Sequence, residues 1–248
     1  MTAFSPARTA ATARRVLRQL RHDPRTIALL LIVPCLLLAL LSWVFQDSPQ
    51  VFDRIGAPLL GFFPFTVMFL VTSVATLRER SSGTLERLLS MPLGKLDLLL
   101  GYALAFGALA VVQAGIATGL AVGLLGLDIA GSVWALLLVA VLNAVLGTSI
   151  GLFTSAFART EFQAVQFLPA VILPQLLLCG LFAPRGRMPS VLGAVSDVLP
   201  LSYAVDAMAQ VAARTSLGGD FARDVAVIAG CIVAALALGA ATLRRRTP

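Results

Sequence analysis

A single histidine, three cysteines and 12 acidic residues among 248 leave this chain poorly supplied with the groups that most enzymes and metalloproteins use. His22 stands alone beside Asp23-Pro24, a setting that suits a solvated helix end better than a metal ligand. Cys35, Cys179 and Cys231 are odd in number, far apart and each inside an apolar run, so they read as small buried hydrophobes rather than a disulfide or a metal set. No phosphate-binding loop of the form G-x-x-x-x-G-K-[ST] occurs: around Gly94-Lys95-Leu96 both the earlier glycine and the final hydroxyl are missing. The chain is therefore expected to bind neither ATP nor Mg itself. A carboxylate pair inside the apolar runs is missing too. Intramembrane enzymes and proton-coupled carriers rely on ionisable groups at that depth, so both classes are disfavoured.

What the chain does have is apolar surface. With 58% hydrophobic and 12% charged residues, it has too few charges to solvate a globule and too many apolar side chains for one core, so a bilayer is the expected solvent. Six stretches free of Asp, Glu, Lys, Arg and His set spans at about 27–45, 59–77, 98–125, 133–157, 164–182 and 225–243. Each approaches or exceeds the roughly 20 residues that cross about 30 Å of hydrocarbon as a helix. Their continuous apolar character excludes the alternation of a barrel strand, so the expected fold is all-α, a single membrane domain over residues 1–248. The first run follows basic residues as a signal peptide would, but Ser42-Trp43-Val44-Phe45 offers no small-residue cleavage site, which favours a retained span.

A net charge of +7 could point to nucleic acid, yet its distribution follows membrane topology instead. With both termini on the cytoplasmic side, the inner segments hold 14 of the 19 Lys and Arg: Arg8, Arg14, Arg15, Arg18, Arg21, Arg25, Arg78, Arg80, Arg87, Lys95, Arg159, Arg244, Arg245 and Arg246. The outer segments hold Arg54, Arg185, Arg187, Arg214 and Arg223.

Residues 7–25 read as an amphipathic helix lying in the inner interface, with Ala10, Ala13, Leu17 and Leu20 at helical spacing and Arg14, Arg18, Arg21, Asp23 and Arg25 on or beside its other faces. The segment 79–92 holds the densest charges. Ser81-Ser82-Gly83 interrupts it with turn and cap residues, Leu85, Leu88 and Leu89 then share one helical face apart from Glu86 and Arg87, and Pro92 discourages continuation. Two helical turns are unstable alone in water, so this short helix needs a docking surface.

Gly115, Gly119 and Gly123 repeat every fourth residue, as do Gly147 and Gly151; such ridges let helices approach closely, within one subunit or between two. Phe62, Phe65 and Phe69 share a face of the second span, suited to packing or lipid contact and, as a minority reading with Asn143 and Gln166, to lining a pathway. Gln113, Asn143, Gln163, Gln166 and Gln175 suit hydrogen bonds between helices, while Trp43, Trp134 and Tyr102 lie near span ends, as an interfacial aromatic belt would place them. The outer segment 185–214 is too apolar for a free loop and reads as short helices dipping into the outer leaflet.

Four stretches carry a family resemblance: Arg21-His22-Asp23-Pro24-Arg25, Glu79-Arg80-Ser81-Ser82-Gly83-Thr84-Leu85-Glu86-Arg87-Leu88 with Pro92, Gly180-Leu181-Phe182-Ala183-Pro184, and Pro200-Leu201-Ser202-Tyr203-Ala204-Val205-Asp206-Ala207-Met208. In this order the chain resembles the membrane subunits of ABC-2 type exporters, including bacterial drug-efflux permeases. The resemblance departs at positions 81 and 82, where the family often carries a second charge and this chain has Ser-Ser. It implies a six-span permease half in the cytoplasmic membrane, paired with a second permease, identical or paralogous. It also implies two copies of a separate ATPase, which bind ATP and Mg and seat the helix near 83–90 as a coupling element through Glu79, Arg80, Gly83, Thr84, Leu85, Glu86, Arg87, Leu88, Leu89 and Pro92. The expected cargo is hydrophobic or amphipathic: a drug, an antibiotic or a lipid-like metabolite. Export of a lipid-linked glycan, or a structural subunit that transports nothing, are the alternatives.

Overall fold

The computed structural model describes residues 5–84 and 94–242, and all regular structure among them is helical. The helices are α1 (Pro6–Arg21), α2 (Pro24–Val44), α3 (Pro49–Ser81), α4 (Lys95–Gly123), α5 (Val133–Ser155) and α6 (Glu161–Leu178). After a 3₁₀ turn (Arg185–Arg187) come α7 (Ser190–Val198), α8 (Pro200–Ala213) and α9 (Gly219–Thr242). Six of them, α2 to α6 and α9, are long and apolar enough to span a bilayer, as the uncharged runs require. The expected helix around 85–93 lies outside the described residues.

The boundaries differ from the sequence reading where charge sits inside a helix. The second span was expected at 59–77, but α3 runs 33 residues, about 50 Å at 1.5 Å per residue, and overshoots the hydrocarbon at its ends. Pro58 and Pro64 interrupt its ladder of hydrogen bonds without ending it, because both are buried among neighbouring helices that hold the segment straight enough to continue. The interfacial helix, expected through Arg25, stops at Arg21. Asp23 caps a new helix, its carboxylate accepting from the Thr26 amide at 3.2 Å and hydroxyl at 2.6 Å, so Arg25 belongs to the first turn of α2. The last helix begins at Gly219 rather than 225, which places Asp224 inside it, fully buried and accepting from Gln210 Nε2 at 2.8 Å.

α3 is the axis of the molecule. Its densest packing is against α5, at the glycines of the fourth span: a Cβ added at Gly147 would lie 2.2 Å from the Phe65 carbonyl oxygen, and one at Gly151 would lie 2.6 Å from that of Phe69. That ridge therefore packs within the subunit. Among the described residues the ridge on α4 meets nothing, since Gly115, Gly119 and Gly123 have no described atom within 4 Å of an added Cβ. Phe65 and Phe69 are fully enclosed and Phe62 nearly so. The segment expected on the outer side is two helices, α7 and α8, bent by 88° at Leu199. α8 buries Leu201, Ala204, Val205, Ala207, Met208 and Val211 against α3 and α9. Arg185 fastens it by ion pairs to Asp197 and Asp206.

Candidate functional site

The end of the molecule where α1 meets the α3–α4 connection holds a cluster of buried and half-buried charges. α1 has no acidic residue, and its buried stripe is Thr9, Thr12, Ala13, Val16 and Leu20 rather than the expected Ala10, Ala13, Leu17 and Leu20. The difference has a local cause. Thr12 presses on α4 at Gly101, where an added Cβ would sit 2.5 Å from its own Cβ, so small residues decide which face docks. The Thr9 and Thr12 hydroxyls donate to the carbonyls of Ser5 and Arg8 four residues back, at 3.2 and 3.0 Å, and thus bury as if apolar.

This rotation brings Arg15 over the last turn of α3. Its guanidinium holds Glu79 by two bonds, Nη1 to Oε1 at 3.2 Å and Nη2 to Oε2 at 2.9 Å, and Nη2 reaches the Tyr102 hydroxyl at 3.1 Å. Tyr102 in turn donates to Glu79, so the carboxylate, only 6% exposed, is held from both sides. Burial works against the charge of Arg15, but the bonds to Glu79 and its field prevail and hold its pKa above the ordinary value. Tyr102 is thus a buried part of the network rather than a member of an aromatic belt, whereas Trp43 and Trp134 are exposed.

Consecutive residues on a helix point about 100° apart, so three in a row can reach three neighbours. The last turn of α3 uses that geometry. Arg78 pairs bidentately with Glu161 at the start of α6, at 2.8 and 3.0 Å; Glu79 holds α1 and α4; Arg80 donates to the Ala158 carbonyl in the α5–α6 turn. Ser82 caps the helix and Gly83, at φ +70°, takes the left-handed conformation that glycine adopts at least cost. Beyond the undescribed residues 85–93, the chain is gripped again. Asp97, fully buried, accepts from the Gly94 amide at 3.3 Å and the Ser5 amide at 2.8 Å, and lies 3.7 Å from the guanidinium of Arg8.

Of the residues expected to couple to a partner, Glu79 and Arg80 point into the protein, while Gly83 and Thr84 lie at the end of the described stretch; Leu85, Glu86, Arg87, Leu88, Leu89 and Pro92 lie outside it. Arg14, Arg18, Arg21 and Arg25 are exposed. Phe62, Phe65, Phe69 and Asn143 sit together in the α3–α5 core, and Gln166 is exposed on α6, apart from them. Gln113 does bond between helices, donating to the Leu30 carbonyl at 2.8 Å, but Gln175 bonds within α6 and Asn143 has no partner among the described residues. Asp97 and Arg15 were missed as site residues, for one Arg among several near the start of the chain and an Asp at a helix start carry no distinctive spacing.

A groove of about 570 Å³ opens beside this network, between α1, α2, α3, α4 and α6. Leu29, Val33, Val67, Leu70, Val71 and Val74 form its apolar walls, and Asp23, Arg78, Glu79 and Glu161 ring one end. Hydrogen bonds from the Thr26 hydroxyl and amide hold Asp23 below the usual carboxylate range.

Comparison with known proteins gives these features a common frame. Residues 8–212 match the family model described as ABC-2 type transporter. The chain is 32% identical over 137 residues to the inner membrane transport permease YhhJ of Escherichia coli K12, covering 55% of this chain and 37% of that protein. It is 30% identical over 140 residues to the probable multidrug ABC transporter permease YbhS of the same organism, covering 56% and 37%. Over 166 residues it is 26% identical to ABC transporter G family member 20 of Dictyostelium discoideum, covering 67% and 23%. These aligned stretches span well under half of the relatives they match. The matched region takes in α1 to α8 almost whole, including the buried charges at both ends of the 85–93 segment, and the chain belongs to the ABC-2 type transporter family, the membrane subunits that work with ABC ATPases.

Proposed function

We propose that this chain is the permease half of an exporter in the cytoplasmic membrane, moving a hydrophobic or amphipathic solute outward under power from two copies of a separate ATPase. A second permease, identical or paralogous, completes the pathway. The observation that carries this reading is the anchoring of both flanks of residues 85–93. Glu79 and Arg80 lock the chain before it, and Asp97 locks the chain after it, to α1, α4 and the α5–α6 turn. A partner that seats and displaces 79–92 would therefore move several helices at once instead of bending a loop. Packed helices respond to such a push by switching between discrete arrangements.

The groove supports the substrate class. Its walls along α2 and α3 are aliphatic, which favours an apolar body, and the charged groups at one end suit a polar head. A solute of this kind enters from the cytoplasm or the inner leaflet.

The test is ATP-dependent export by the complex of this chain with its native ATPase, reconstituted in vesicles. In the sequence, Leu88 lies on the apolar face of the expected coupling helix, so Leu88→Asp places a charge in an apolar contact at a cost of several kcal/mol if it stays unpaired. Export and substrate-stimulated ATP hydrolysis should vanish with the chain still inserted. Glu86→Ala should impair both only in part, since a partly exposed ion pair is worth about 1 kcal/mol or less. Full export by a normally expressed Leu88→Asp chain would end the coupling assignment.

A further inference from the structure

α1 carries five arginines and no acidic residue. Two of them are spent inside the protein, Arg15 on Glu79 and Arg8 on Asp97. Arg14, Arg18 and Arg21 are exposed, as is Arg25 one helix on, and none of these four has an ion-pair partner among the described residues. At 100° per residue, Ala10, Arg14, Leu17 and Arg21 fall within a sector of about 60°, and Arg18 lies about 40° beyond it. Ala10 and Leu17 are exposed there as well, Leu17 by 37%. The docking of Thr12 onto Gly101 turns this sector away from the protein.

Its level along the membrane normal follows from α2. The exposed apolar face of that span begins at Leu29 and continues through Ile32, Leu36 and Leu40. Arg25 lies four residues before Leu29, about 6 Å along the axis, which is headgroup rather than hydrocarbon depth. A guanidinium is a planar fork that takes a phosphodiester by two parallel bonds, and a basic cluster immediately beside a span attracts anionic lipid. Leu17, set among the arginines, supplies the apolar contact that an interfacial helix makes between headgroups.

We propose that Arg14, Arg18, Arg21 and Arg25 form a docking surface for the headgroups of anionic phospholipids. Because Arg15 and the N-terminal turn of α1 hold the two flanks of residues 85–93, lipid bound on the outer side of α1 steadies the segment on which an ATPase would act. This second consequence rests on the permease reading; the binding itself does not.

The test uses the purified full chain in neutral detergent and counts bound lipid by native mass spectrometry. Phosphatidylglycerol and phosphatidylcholine of the same acyl composition are the probes. Wild type should retain phosphatidylglycerol in preference, and the triple variant Arg14→Gln, Arg18→Gln, Arg21→Gln should lose apparent affinity by roughly tenfold to a hundredfold, as the removal of three cations from an anionic surface requires. The corresponding triple lysine variant should keep most of it. Equal retention of both lipids, equal retention by the glutamine variant, or loss by the lysine variant as severe as by glutamine overturns the proposal. Displacement by millimolar inorganic phosphate would reassign the cluster to free anions. Unchanged lipid retention in the glutamine variant, with loss of a co-purifying ATPase, would reassign it to a protein contact.

Discussion

Removing Arg15 should cost far more than its position on a surface helix suggests, and the cost can be worked from its partner. In Arg15→Met the aliphatic stem still packs, but Glu79 loses both guanidinium bonds and keeps only Tyr102. At 6% exposure the carboxylate has no access to water that could replace them. Breaking one side of a fully buried pair costs about 3–5 kcal/mol; Arg15 is about a third exposed, which weakens its attraction, so about 2–3 kcal/mol is expected here. Glu79→Leu should be milder, about 1–2 kcal/mol, because the released guanidinium can turn to solvent and only the Tyr102 hydroxyl loses an acceptor. The double variant should resemble Glu79→Leu alone, since it leaves no buried charge.

Thermal unfolding of the three variants in one detergent gives the cycle. At about 2–4 °C per kcal/mol for a chain of this size, Arg15→Met should lower Tm by roughly 4–12 °C, and the double variant should recover much of that loss. If each single variant shifts Tm by less than about 1 °C and the two effects add, the pair is not a buried latch. The mechanical account of residues 85–93 then loses its main support.

The two glycine ridges should respond oppositely to the same change. Gly147→Ala drives a Cβ into the Phe65 backbone, which cannot yield as a side chain can, and should cost about 1–3 kcal/mol, whereas Gly119→Ala, with open space around it, should stay within about 0.5 kcal/mol; equal effects in thermal melts would contradict the packing. For orientation, single cysteines at Ser81 and Ser190 in a background lacking Cys35, Cys179 and Cys231 should react with an impermeant thiol reagent from opposite sides of the membrane. Labelling from one side would sink the arrangement in which the basic segments face the cytoplasm.

The spans were legible because lipid leaves a coarse mark: runs of about 20 residues without charge are costly in water and stable in hydrocarbon. The ends of helices were not, because near the interface charge ceases to be forbidden. α3 continues through Asp53, Arg54 and two prolines, and α9 takes Asp224 into its first turns, since neighbours supply what the bilayer would not. The face of α1 was misjudged for a related reason. A hydropathy stripe ranks leucine above threonine, but a close helix crossing at Gly101 favours small residues, and a hydroxyl bonded to its own backbone no longer demands water. Glu79 stood out in sequence as a charge in a charged segment; that it turns inward depends on Arg15 and Tyr102, which are 64 and 23 residues away.

A buried ion pair is weak evidence of stability by itself, since replacing both charges with apolar side chains costs far less than removing one. The network around Glu79 has one property that apolar packing lacks: it is directional. Two parallel bonds between a guanidinium and a carboxylate fix the register of α1 on α3, and Asp97 fixes α1 on the start of α4 at a second point. Two such points define the position of α1 along its own axis, which a smooth contact between aliphatic side chains would leave free to slide. Arg78 and Arg80 extend the same control to α6 and the α5–α6 turn. Under the proposed function, a displacement applied between Gly83 and Gly94 would be shared among five helices, whereas with apolar contacts alone it would dissipate as sliding at the nearest one.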